Sequence, residues 1–171
     1  MAFYQNLSRL GSKYLGLANT FKWGFNLSPM YRRTTARIVY VSNDLLHVTI
    51  KLPINYKNRN YVGTIFGGSM FSAVDPIPMV QLINLLNSNY VVWDKSAEIY
   101  FKRPGNQDLY ADFQYTKEEI DAIIARVKNE KEILLVKTTQ LTNKDKTKVF
   151  CEVKKTIYIA EKQFFKEKRK L

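Results

Sequence analysis

The sequence predicts an α+β domain in which an antiparallel sheet wraps around one buried helix. Three observations carry that expectation. Runs with a two-residue apolar period recur along the chain. Clusters of turn-forming residues join them in pairs. One segment, Met79 to Asn87 (MVQLINLLN), is apolar nearly all round, so it needs cover on most sides. The chain has 171 residues, 46% of them hydrophobic, which suits a single domain over residues 1–171 with its own core.

Phe3, Leu7, Leu10, Tyr14, Leu17 and Phe21 recur at helical spacing and predict an N-terminal amphipathic helix over about residues 3–22 that packs on the domain. Thr35 to Val41 is the first strand. In the second, Leu46, Val48, Ile50 and Leu52 alternate with His47, Thr49 and Lys51, and Ser42 to Asp44 is the turn between the two. The central helix follows. Ala97, Ile99 and Phe101 alternate with Glu98, Tyr100 and Lys102 in a third strand, and Leu109, Ala111, Phe113 and Tyr115 mark a fourth. Thr116 and Glu119 read as a capping box opening a short inserted helix over about residues 117–129, with Ile120, Ile123, Ile124 and Val127 inward. Ile133 to Leu141 and Lys148 to Ile159 complete six strands, joined by the turn Thr142 to Thr147. A basic, solvated tail covers about residues 161–171.

Composition narrows the function. A single cysteine, Cys151, cannot form an internal disulfide, and it falls on a core face of its strand. With a single histidine, His47, on a polar strand face, no Cys/His metal site is expected. The N-terminus has no apolar leader core and no segment is long enough to span a bilayer, so a cytoplasmic protein is expected. The formal charge of +12 attracts anions. Nucleic acid is not the expected partner, because no recognition motif accompanies that charge.

Gly63 to Pro78, GTIFGGSMFSAVDPIP, concentrates the chemistry. Gly67 and Gly68 precede a helix and let backbone N–H groups approach a ligand. Such donors at a helix N-terminus stabilise a developing oxyanion. Asp75 is either the N-cap of the helix begun by Pro76 or a general base or nucleophile facing the same pocket. Pro76 and Pro78 predict a break or kink at this point.

Asn60, Gly63, Thr64, Gly67, Gly68 and Asp75 resemble the signature of hotdog-fold acyl-CoA thioesterases of the phenylacetyl-CoA thioesterase type, with Phe66 where that signature has histidine. Together with Tyr90 to Gly105, the stretch is most similar to an uncharacterised bacterial hotdog family labelled thioesterase-like. The resemblance implies a hotdog domain and a homodimer, or a dimer of dimers, with sites at the subunit interface. It implies acyl-CoA thioester hydrolysis, with coenzyme A as part of the substrate and no separate cofactor. Gly67 N–H would polarise the carbonyl, Asp75 of the other subunit would activate water or attack, and Asn60 would position water or the carbonyl. Gly68, Thr64 and Phe66 would line the substrate, Asp94 or Lys95 would add a polar group, and Lys57 and Arg59 would meet coenzyme A phosphates. The alternative is a hotdog protein that binds an acyl group or acyl-CoA without turnover.

Overall fold

A computed structural model of the chain describes residues 16–170. Residues 3–15 of the expected N-terminal helix lie outside the described residues. Its end belongs to α1, Leu17–Leu27, and α2, Pro29–Arg33, follows with proline in its first turn. β1 is Arg37–Val41 and β2 His47–Leu52. The glycine-led helix α3, Gly67–Val74, is followed at once by α4, Pro76–Leu85. Then come β3, Tyr90–Phe101; β4, Leu109–Gln114; α5, Lys117–Glu130; β5, Glu132–Thr142; β6, Val149–Glu161; and α6, Lys162–Lys168. The six strands form one antiparallel sheet in the order β1-β2-β4-β5-β6-β3. None of the described helices is long and apolar enough to cross a membrane.

The expected pattern of alternation drives the packing. Val48, Ile50 and Leu52 of β2, with Leu109, Ala111 and Phe113 of β4, form the concave face and bury against Met70, Ala73, Val74 and Ile77 of the two central helices. Cys151 and Val153 of β6 join them, and burial pushes the Cys151 thiol up to about 11, which suits an inert core residue. Thr116 caps α5 by accepting the Glu119 amide at 3.1 Å. The Glu119 carboxylate turns instead to Lys137, 2.9 Å away, so the reciprocal half of the capping box goes unused. Beyond β6, the expected basic tail is a short helix, with Phe165 set edge-on to Trp93 at 4.9 Å.

Two differences from the sequence reading bear on the site. β3 begins at Tyr90 and runs for 12 residues, well before the Ala97–Phe101 alternation that announced it. The central helix is also less enclosed than its composition demands: Ile77, Pro78, Gln81 and Leu82 are buried, but Ile83 is 43% exposed on the outer side.

The two edges of the sheet are treated differently. On β1, the Asn26 side chain donates to Ile38 O at 2.9 Å and accepts the Ile38 N–H at 2.8 Å, taking the place of a neighbouring strand. Lys22 Nζ covers Val39 O at 2.8 Å. The α1 helix thereby closes this edge to further pairing. Among the described residues β3 has no such cover along its outer edge, although it carries the exposed rings of Trp93, Tyr100 and Phe101. Asn26→Ala is expected to cost about 1–3 kcal/mol, because two strand-like hydrogen bonds disappear from a half-buried position. Urea denaturation measures it, and an unchanged midpoint would show that the β1 edge needs no cover.

Candidate active site

The turn before α3 is built by its own polar side chains. Asn60 Oδ1 accepts the amides of Val62 and Thr64 at 3.1 and 3.0 Å, and its Nδ2 donates to Thr64 Oγ1 at 3.0 Å. This folds the chain back at Gly63, whose φ of +81° lies in the left-handed region that glycine tolerates. Phe66 N–H donates to Asn58 O at 2.7 Å and Ile65 N–H to Gly105 O at 2.8 Å, so the start of the helix is pinned from two sides. Phe66 is extended and Gly67 opens the helix. The first-turn amides of Gly67 and Gly68 therefore have no intrahelical acceptor and point outward as donors.

Aromatic rings stand over both glycines. A Cβ at Gly67 would come within 2.6 Å of the Phe101 ring, and one at Gly68 within 2.3 Å of the Phe66 ring. The glycines thus let these rings approach closely, and the approaching groups in one chain are the ends of two half-exposed side chains with room to move. Phe66 is 58% and Phe101 56% exposed.

The other half of the site lies at the far end of α3. Asp75 has helical torsions, φ −49° and ψ −55°, and its side chain makes no capping hydrogen bond. The N-cap alternative is therefore not what the side chain does. The expected break is present at Asp75: prolines 76 and 78 cannot donate backwards, and the two helices meet there. The Asp75 carbonyl accepts a hydrogen bond from Lys155 Nζ at 2.6 Å, and its Oδ1 is 2.7 Å from the same nitrogen. Asp94 Oδ2 reaches that ammonium at 2.5 Å. The Lys155 side chain is only 3% exposed, against 42% for Asp75.

Local structure explains the meeting. Cys151, Val153, Ile157 and Ile159 point inward along β6, and Lys155 holds the matching position in that row. It is a lysine where alternation calls for a core side chain. That break in the apolar row is the signal of this residue in the sequence. Opposite, a bulge between Asp94 and Ser96 in β3 takes up Lys95 and turns the Asp94 carboxylate toward Lys155. Lys95 goes elsewhere, with its Nζ 5.9 Å from the Tyr158 ring centre.

Burial pushes the Asp94 carboxyl above its ordinary range; the Lys155 hydrogen bond opposes this, and the Asp75 charge adds to it. Its Oδ1 is buried without a hydrogen-bond partner among the described residues. An acid whose pKa is raised by folding contributes most to stability below its unfolded value, near 3.9, and that contribution falls as pH rises through the folded value. Asp94→Asn cannot ionise, so it is expected to gain on the parent as pH goes from about 4 to 7. Denaturant midpoints at the two ends check this, and a constant difference would remove the inference.

The predicted residues thus fall into two groups. Asn60, Thr64, Phe66, Gly67 and Gly68 gather at the N-terminus of α3, while Asp75 and Asp94 gather around Lys155 at its C-terminal end. Eight residues of helix separate the groups, about 12 Å at 1.5 Å per residue. Lys57 and Arg59 lie outside both, exposed on the preceding loop. Within one chain, the Gly67 amide and the Asp75 carboxylate cannot both touch one carbonyl.

A family model described as a domain of unknown function, DUF4442, matches residues 18–159. No curated protein matches the chain in sequence. Among solved structures, a Pseudomonas aeruginosa protein of unknown function, named "Probable Thioesterase", aligns with a TM-score of 0.71 at 17% identity, over 82% of this chain and 93% of its own. A Haemophilus influenzae thioesterase aligns with a TM-score of 0.58 at 12% identity, over 94% and 92% respectively. A Chlorobaculum tepidum protein of unknown function gives 0.64 at 16% identity, over 92% and 94%. At these identities the likeness establishes the fold: the sheet wrapped on its helix is the hotdog fold.

Proposed function

The chain belongs to the family of the domain of unknown function DUF4442, and we propose that it is an acyl-CoA thioester hydrolase whose site is shared between two copies. The observation that carries this reading is the pairing of an outward-facing glycine amide at one end of α3 with a lysine-held carboxylate at the other. The distance between them calls for a second subunit, and the uncovered β3 edge offers the place for one to pair. In that arrangement Gly67 N–H of one copy binds the thioester carbonyl and stabilises the oxyanion. Asp75 of the other copy activates water or attacks the carbonyl carbon.

Lys155 is a positioning residue. Its ammonium fixes one carboxylate oxygen and the carbonyl of Asp75, leaving the second oxygen for the reaction. Asn60 and Thr64 hold the turn that aims the amide, and Phe66 and Phe101 line the path of the acyl chain. Thioesterases among the structural neighbours support the reading at the level of fold. Thiol release from a panel of acyl-CoA substrates tests it, alongside sedimentation of the protein in solution. No release from any member, or a monomer at all concentrations, would sink it.

Two observations favour the second reading, an acyl-binding protein without turnover. Lys155 already neutralises Asp75, and the Phe101 ring already stands over Gly67. Tight acyl-CoA binding without thiol release would select it.

A further inference from the structure

On the far side of the loop that carries Asn58 lie two adjoining clefts of about 200 and 450 Å³. They share Arg32, Thr35 and Lys57; Arg37 lines the smaller and Arg33 the larger. Among the described residues no carboxylate lines either cleft. None of these four cationic side chains forms an ion pair among the described residues. Tyr56 also lines the smaller cleft, its ring 85% exposed with Lys57 Nζ 5.6 Å from the centre.

We infer that this is a binding site for a phosphorylated nucleotide, its phosphates on Arg32, Arg33, Arg37 and Lys57 and its base on Tyr56. Four cations gathered without a counter-charge repel one another, and a polyphosphate relieves that repulsion. Arginine in particular meets phosphate with two parallel hydrogen bonds. An exposed aromatic ring beside them offers a stacking face for a base.

The position connects this cleft to the site above. Buried Asn58 donates to Thr35 Oγ1 at 2.7 Å and accepts the Phe66 amide at 2.7 Å. One residue therefore lies between the cationic cleft and the turn that aims Gly67. The nucleotide end of coenzyme A fits both places, and this identification of the ligand rests on the thioester reading. The site itself does not: a free nucleotide has the same chemistry.

Calorimetric titration of the full chain tests the site without any turnover. The probes are coenzyme A, adenosine 3′,5′-bisphosphate, ATP, pantetheine and inorganic phosphate. The two adenosine phosphates and coenzyme A are expected to bind, pantetheine is not, and Arg32→Ala with Arg37→Ala is expected to weaken binding at least about tenfold. Arg32→Lys should keep part of the affinity, and circular dichroism checks that the variants fold. Coenzyme A binding more tightly than ATP assigns the site to the carrier of the substrate; equal binding assigns it to a free nucleotide. Unchanged affinity in the double arginine variant, or binding no better than that of inorganic phosphate, overturns the site. Nucleotide binding without hydrolysis of any thioester would retire the thioester reading and leave this site standing. Hydrolysis with a KM for acyl-CoA unmoved by the arginine changes would do the reverse.

Discussion

Asp75→Asn is expected to lower thioester hydrolysis by roughly 10²–10⁴-fold, the usual range for removing a general base. The change keeps the size of the side chain and one oxygen for Lys155, so the fold and the dimer should persist. The carboxylate is well placed for this role in one respect. Its Oδ1 is held by a nearly buried ammonium, but the side chain as a whole is 42% exposed, so reactants can reach it. Turnover within a factor of two or three of the parent would remove Asp75 from the chemistry. It would leave the Lys155 cluster as a structural device.

The second large effect is expected at Lys155. Removing one partner of a buried ion pair typically costs about 3–5 kcal/mol, because the opposite charge stays behind without compensation. Lys155→Met does this to two carboxylates at once and leaves Asp75 and Asp94 repelling each other. The exposure of Asp75 softens the penalty, which places the expected loss at the lower end of that range. A urea titration measures the loss, and a cost below about 1 kcal/mol would mean that water replaces the ammonium easily. Hydrolysis should fall in the same variant even under conditions where it is folded, since the free Asp75 carboxylate loses its aim. Lys155→Arg should restore stability better than activity, because guanidinium keeps the charge and changes the geometry.

The fold was legible where one face of an element is buried. Val48, Ile50 and Leu52 sit in the core as their spacing requires, and Thr116 caps α5 as its position suggests. The helix break at Asp75 followed from Pro76 and Pro78 alone. Legibility failed where pairing, rather than burial, shapes the strand. All of β3 is an edge strand; Tyr90 and Val92 pack inward, but Val91 and Trp93 between them are apolar too, so residues 90–96 gave no polar–apolar alternation and their bulge gave no signal either. Lys155 is legible as a break in the apolar row of β6, but its role is not: its partners are 80 and 61 residues away in sequence, and only the fold brings them together. Asp94 was reachable through the family resemblance, but its contact with Asp75's lysine was not. The edge-covering role of Asn26 likewise depends on a helix lying beside β1, which a sequence pattern does not express.

The central claim is that the glycine amide and the carboxylate act across two subunits, and subunit mixing tests it most directly. Gly67→Pro removes the amide donor at the first helical position, where proline is otherwise tolerated, and Phe66 before it already has the extended backbone that proline requires. Phe101, near the added ring atoms, has an exposed side chain that can swing aside. The Gly67→Pro and Asp75→Asn proteins should each be nearly inactive. A mixed dimer of the two has one site with both groups intact, and random exchange makes half the dimers mixed. The expected result is recovery to about a quarter of the parent's activity on mixing in equal amounts, by the two-fold symmetry of the dimer. A mixture that exchanges subunits and stays as inactive as its two components would contradict the shared site.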